Sequence, residues 1–354
     1  MHAAEKALEY ILDYGDKKDK KCWIGAHAFY IGITTLSGFP DCDLVVVTPI
    51  FEDAEASERL FRELAAAHGN GVYVIAVDDG SVRSPVDFTR ISNAGLDGVV
   101  LRLKRNVGHQ RAISVGLAYV CEHVDCHHIV VMDSDGEDIP TSITDLTKML
   151  GDNDVDIVVA KRRSRIESFR FRLFYLVYKW LFHVLTGRKI NFGNFMALKL
   201  SAVKRLVAMQ ELGVHVAGCA LLSRLRIAVC PLDRGPRYAG RSKMNFVGLA
   251  LHGFRGLMVF AEDVLVRVGI ACTFVAALSI LGVAMAILLK VSGYATPGWF
   301  SIALGILVLV FLQTGALTLV TLMLTGVVRG GSALPAKWED FIDSVTHARA
   351  SKVT

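Results

Sequence analysis

From residue 43 onward, short runs of β-branched and apolar residues alternate with longer stretches whose apolar positions recur every three or four residues. Residues 44–48, 71–77, 98–103, 128–132 and 155–160 are almost uniformly apolar and bounded by Gly, Asp or Pro, which predicts buried strands. Residues 55–68 and 110–122 carry the helical period between them. Such alternation predicts an α/β domain, a Rossmann-like mixed but mostly parallel sheet covered on both faces. Ligands of such sheets lie beyond the carboxyl ends of the strands, so the residues that follow each strand are where chemistry is expected.

The pattern changes near residue 267. The run 268–289 holds 22 consecutive uncharged residues, and no charge lies between Lys290 and Arg329. As helices rising about 1.5 Å per residue, the first run reaches about 33 Å and the second, roughly 300–328, crosses a hydrocarbon core of about 30 Å with some tilt. A C-terminal two-helix transmembrane hairpin is therefore expected at 267–330. Arg267, Arg329 and Lys337 flank it, while the turn at 292–298 has only Lys290 at its edge. That asymmetry predicts an integral protein of the inner (plasma) membrane with the polar domain and both termini cytoplasmic. The expected organisation is an N-terminal extension at 1–42, the polar domain at 43–243, a juxtamembrane amphipathic helix at 244–266, the hairpin, and a cytoplasmic tail at 331–354.

Composition fits this division. The 354 residues are 53% hydrophobic and 21% charged, which excludes a disordered chain, a collagen and a freely soluble enzyme. Glu5, Glu9, Asp13, Asp16 and Asp19 among the early lysines do not make a signal peptide, and residues 23–40 read as a mildly apolar extension. Seven cysteines without a repeated spacing suit a reducing compartment. Cys121, His123, Cys126, His127 and His128 form a zinc-ligand inventory, but they straddle a predicted helix end and strand start, so an ordinary junction is expected.

Residues 161–189 contain nine Lys or Arg against the single acid Glu167, interleaved with aromatics. Arg172, Lys179 and His183 share one stripe, which predicts an interfacial helix at 169–185 lying in an anionic headgroup layer rather than a nucleic-acid surface. Arg162, Arg163 and Arg165 then stand where a lipid phosphate would arrive. Within the second span Thr314, Thr318, Thr321 and Thr325 recur at helical spacing beside Gln313, as contacts within the hairpin or between the protomers of a homo-oligomer.

Carboxylates crowd one edge of the predicted sheet: Glu52 and Asp53 after the first strand, Asp78 and Asp79 after the second, Asp133, Asp135, Glu137 and Asp138 after the fourth. Three acids at alternate positions, Asp133, Asp135 and Glu137, repel one another unless a cation sits among them. Hard oxygen ligands favour Mg²⁺ or Mn²⁺ shared with substrate phosphates. No dinucleotide fingerprint or Walker loop is present.

Taken in order, Asp78-Asp79-Gly80-Ser81, Asn106-Val107-Gly108 with Ala112 and Gly116, and Asp133-Ser134-Asp135 resemble the motifs of family 2 glycosyltransferases with a GT-A domain. Arg162, Phe192-Gly193-Asn194-Phe195, Arg237 with Gly240, Ser242 and Lys243, and the hairpin are similar to the polyisoprenyl-phosphate glycosyltransferases related to dolichyl-phosphate mannose synthase. The resemblance covers roughly residues 43–330. It implies inverting transfer of a sugar from a UDP- or GDP-linked donor to a polyisoprenyl phosphate on the cytoplasmic leaflet. By the same resemblance Pro49, Glu52, Asp78, Asp79, Asn106, Gly108 and Asp133 would bind the nucleotide sugar, and Asp133, Asp135 and Glu137 the Mg²⁺ or Mn²⁺. Asp135, Asn194 and Arg162 would be catalytic, with Arg162, Arg165, Arg237, Ser242 and Lys243 on the acceptor.

Two departures matter. Glu137 stands where the family often has Gln, and Asn194 where many members have an Asp proposed as catalytic base. A lipid hydroxyl needs a base, whereas a phosphate monoester is already largely anionic near pH 7, so Asn194 favours a lipid phosphate. The competing expectations are a glycolipid synthase acting on a lipid hydroxyl and a non-catalytic membrane scaffold. A processive polysaccharide synthase would need a Gln-x-x-Arg-Trp motif and more spans than this chain has.

Overall fold

A computed structural model describes residues 41–151, 154–162, 169–238, 246–294, 296, 298–330 and 337–350. The chain divides into two compact units, Met1–Asp41 and Cys42–Thr354, and the second holds the fold. In chain order its elements begin β1 (Asp41–Ile50), α1 (Ala54–His68), β2 (Val72–Asp78), α2 (Thr89–Asn93), β3 (Asp97–Leu103) and α3 (His109–His123). There follow β4 (Asp125–Val131), α4 (Ile143–Leu150), β5 (Ile157–Arg162), α5 (Phe169–Thr186), β6 (Met196–Lys199) and α6 (Leu200–Val207). Last come α7 (Val216–Leu222), β7 (Ile227–Leu232), α8 (Phe246–Met258), α9 (Ala261–Val291), α10 (Trp299–Gly330) and β8 (Ile342–Ala348).

All eight strands form one sheet in the order β7-β5-β6-β4-β1-β2-β3-β8. β1–β2, β2–β3 and β5–β7 pair in parallel, while β6 runs antiparallel to both β4 and β5. Each of the five expected strands is present. Period-two alternation splits the core into two layers. Val45, Val47, Ile75 and Val77 pack with Ala112 and Ile113 of α3 on one face, and Val46, Val74 and Ala76 with Leu60, Phe61 and Leu64 of α1 on the other. A Cβ on Gly116 would come within 2.5 Å of the Val47 side chain, so a glycine there lets α3 lie directly on the sheet.

Three strands escape the apolar-run reading: β6, β7 and β8. The last corrects the expected tail. Residues after α10 return to the sheet, where β8 pairs antiparallel with β3. Trp338 Nε1 donates to Glu122 at 2.8 Å, Lys104 N–H to the Phe341 carbonyl at 2.9 Å, and Ala350 N–H to Asp97 at 2.7 Å. Thus β7, before the two long helices, and β8, after them, are the opposite edges of the same sheet.

Helices α9 and α10 pack on each other and are long and apolar enough to cross a membrane. Ile270, Leu281, Leu312 and Met323 lie exposed on them. Thr321 is buried against Gly269 in the hairpin's inner contact, and the hydroxyls of Thr314, Thr318 and Thr321 donate to carbonyls four residues back in their own helix. The Thr325 side chain lies outside the described residues.

Helix α5 forms where the interfacial helix was expected. Phe182 anchors it against Val259 and Phe260, while Leu176, Trp180 and Val184 are exposed beside exposed Lys179 and His183. Of the cysteine-histidine group, Cys121 and His123 lie at the end of α3, and Cys126, His127 and His128 lie in β4.

Candidate active site

At the carboxyl ends of β1, β2 and β3 the loops are built by carboxylates accepting backbone hydrogen bonds. Asp78, fully buried, accepts from Ser81 N–H at 2.9 Å and Val86 N–H at 3.1 Å. Asp79 accepts from Val107 and Gly108 at 2.7 and 3.0 Å. Burial raises its pKa and these two amides partly offset the rise. Glu52, at φ 50°, accepts from the N–H groups of Val82, Arg83 and Ser84 at 2.8 to 3.1 Å, which hold its carboxyl below the usual range. Gly80, at φ 70°, lets the β2 loop press on the β3 loop, since a Cβ there would lie 2.5 Å from the Arg105 carbonyl carbon.

Glu52, Asp78 and Asp79 thus each accept amides of the chain itself and so shape the rim. Pro49 is buried within β1 opposite Val77, inside the sheet. Asn106 is exposed on the rim, and Gly108, at φ 91°, caps α3.

The acidic loop after β4 is folded back on itself, with Asp133 N–H donating to buried Asp138 at 3.0 Å and Glu137 N–H to Asp135 at 3.0 Å. The segment leaving β7 straps it. Gly235 N–H donates to the Glu137 carbonyl at 3.0 Å, and Tyr238 N–H to the Asp135 carbonyl at 2.9 Å. Gly136, at φ 88°, lies flat on the Tyr238 ring, where a Cβ would approach to 2.6 Å. Tyr238 Oη donates to Glu63 at 2.6 Å, tying the strap to α1.

The strap carries cations into the acids. Arg237 reaches Asp135 Oδ2 at 2.9 Å and Glu137 Oε1 at 2.7 Å, and Arg234 pairs with Glu137 Oε2. The alternating acids therefore have guanidinium groups among them: Glu137 is held by Arg234 and Arg237, and Arg237 also meets Asp135. Asp133 instead meets His109, the first residue of α3, whose Nε2 lies 3.2 Å from Asp133 Oδ1 and 3.0 Å from the Asn194 carboxamide. Burial alone would lower the His109 pKa, but Asp133, with Asp79 and Asp135 behind it, outweighs that and raises it.

Asp133, Asn194, Asp233 and Arg234 line one cleft, so the structure does bring Asn194 to the acidic loop. Arg162 is the last residue of β5, with its side chain outside the described residues, as are Arg163, Arg165, Gly240, Ser242 and Lys243 altogether. Sequence reasoning missed His109, Arg234 and Tyr238. A signal existed for His109, which directly follows the Asn106-Val107-Gly108 motif.

Residues 45–224 match the model of glycosyl transferase family 2, and the chain belongs to that family. It is a glycosyltransferase, and the sheet with its flanking helices is the expected GT-A domain. Among curated relatives it is 25% identical over 280 residues to YkoT of Bacillus subtilis (strain 168), covering 74% of this chain and 81% of that one. It is 26% identical over 285 residues to sll0501 of Synechocystis sp. (strain ATCC 27184 / PCC 6803 / Kazusa), covering 75% and 85%. Both are named as uncharacterized glycosyltransferases. Among solved structures it resembles glucosyl-3-phosphoglycerate synthase of Mycobacterium tuberculosis in complex with Mn²⁺, UDP-glucose and phosphoglyceric acid, at a TM-score of 0.45, 17% identity and coverage of 70% and 85%.

Proposed function

We propose that this chain transfers a sugar, with inversion, from a UDP- or GDP-linked donor to a polyisoprenyl phosphate at the cytoplasmic face of the inner membrane. The observation that carries the reading is the strap. The segment clamped to Asp135 and Glu137 by Arg234 and Arg237 is the one that continues toward α8 and the two long apolar helices. An acidic loop suited to a diphosphate is thereby tied, in sequence and by ion pairs, to the part of the chain suited to a membrane. Strands before and after the hairpin share one sheet, which supports both ends of the hairpin lying on one side of the bilayer.

The donor set fits a divalent cation in reduced form. Asp133 and Asp135 supply two hard carboxylates, and Mg²⁺ is commonly held by one or two carboxylates with substrate phosphates completing its sphere. When bound, Mg²⁺ or Mn²⁺ would offset charge on the leaving diphosphate. Glu137 keeps Arg234 and Arg237 at the loop, where the guanidiniums can meet the same diphosphate. Asn194 contributes a hydrogen bond rather than a base, as a phosphate acceptor requires. Arg162, Arg165, Ser242 and Lys243 are assigned to that acceptor on their sequence positions.

The prenyl chain has a candidate seat. An apolar groove runs along α5, lined by Leu176, Val177, Trp180, Phe182 and Ile190, with Lys179, His183 and Lys189 at its margin. Gln313, exposed midway along α10, would find a hydrogen-bond partner on a second copy, which supports a homo-oligomer. The test is direct: membranes containing the protein are incubated with a panel of UDP- and GDP-sugars and a polyprenyl phosphate, and the lipid product is weighed by mass spectrometry. A sugar on phosphate supports the reading. A sugar on a hydroxyl oxygen without phosphate replaces it with a glycolipid synthase.

A further inference from the structure

Two histidines unassigned by any motif meet beside the site. His215, buried just before α7, accepts the Gly218 N–H on Nδ1 at 2.9 Å and so caps that helix. An imidazole that accepts on Nδ1 and stays neutral carries its proton on Nε2. That Nε2 lies 3.2 Å from Nε2 of His252 on α8, with ring centroids 4.6 Å apart. His215 is therefore the donor of the pair, His252 Nε2 the acceptor, and the His252 proton is forced onto Nδ1. One helix N-terminus thus sets the tautomers of both rings.

Burial favours the neutral form of both rings. Burial, then the neighbouring His252, lowers the His215 pKa to about 3, and burial lowers that of His252 as well. Gly253 and Gly256 let α8 lie close on Tyr178 of α5, whose hydroxyl donates to the Gly253 carbonyl at 3.2 Å. On the other side, Gln110, next to His109, accepts the Val216 N–H at 2.6 Å. Residues 109–110, 215–216 and 252 therefore link the edge bearing Asp133 to the helix that leads to the membrane. His252 is near enough for the charges of His109 and Asp133 to act on it.

We propose that His215 and His252 form a fixed-tautomer relay that presents His252 Nδ1–H as a neutral hydrogen-bond donor to the anionic headgroup of the acceptor. The proposal rests on the proposed lipid-phosphate reading and deepens it by naming a residue for the phosphate. A neutral donor suits a place where arginines already serve the diphosphate, because it grips an anion without adding another charge to be repelled by them.

The test uses the full-length protein in phosphatidylglycerol vesicles containing a polyprenyl phosphate, with His252→Phe, His252→Asn and wild type compared. Losing one hydrogen bond to a charged group should raise the lipid KM about tenfold in His252→Phe with the donor KM unchanged. His252→Asn, whose amide N–H stands at the Nδ1 position, should recover most of that loss, and a merely structural ring would not be rescued selectively for lipid. An unchanged lipid KM in His252→Phe, or equal increases for both substrates, overturns the relay while leaving the proposed function intact. A wild type that makes no product from the lipid phosphate overturns the proposed function and the relay together.

Discussion

At single residues, the acidic loop separates side chains that act on substrate from those that hold the loop. Asp135→Asn should cut transfer at least about a hundredfold with the fold intact, because a cation or guanidinium offsetting diphosphate charge supplies several kcal/mol. Steady-state rates with matched circular dichroism check this, and near-normal rates would remove Asp135 from the chemistry. Gly136→Ala should act differently, forcing a Cβ into the Tyr238 ring at a φ of 88°. It should loosen the strap and lower both stability and rate, read as a lower denaturation midpoint alongside slower turnover. Asp78→Ala leaves the Ser81 and Val86 amides without their buried acceptor and should cost about 1–3 kcal/mol of stability. Denaturant titration would show it. The crowding of acids on one edge was legible in the sequence, but their division of labour was not. That Glu52 accepts the Val82, Arg83 and Ser84 amides depends on a backbone turn at positive φ that no residue type announces.

Among elements, the five long strands were legible because each is buried on both faces and leaves an unbroken apolar run. β8 was not, for the opposite reason. As an edge strand it exposes Asp343, Ser344 and Val345 in succession and borrows its place from pairing with β3, a contact no local pattern encodes. The docking of α7 on α8 yields a pH prediction. His215 and His252 both have folded pKa values below the ordinary 6.5, so the unfolded chain binds more protons once pH falls below about 6.5. The stability their neutral forms contribute is complete above that pH and is lost progressively toward about pH 3, where His215 protonates in place. Denaturation midpoints measured from pH 7 to pH 4 should fall more steeply for wild type than for His215→Gln, and parallel curves would contradict the assignment. For α9 and α10, a cysteine at Ser292 should label from outside intact cells. Labelling only after permeabilisation would reverse the proposed orientation.

For the whole molecule, the return of residues 342–348 to the sheet sets an order of events during synthesis. β3 emerges from the ribosome long before its partner, because the pair Gly98 with Ala348 spans most of the chain and has both apolar helices between its members. Until the chain beyond those helices has been made, β3 is an uncovered edge, the kind of surface that pairs with the wrong chain. Sheet closure is then a late step, and contacts so distant in sequence also form slowly. A nascent chain arrested after Gly330 should therefore show amide exchange along β3 that disappears on release of the full chain, whereas protection already present in the arrested chain would mean that β3 finds cover without β8. On the proposed membrane reading, insertion of the hairpin and completion of the sheet are coupled, so a hairpin that failed to insert would be visible to quality control as an open β3 edge.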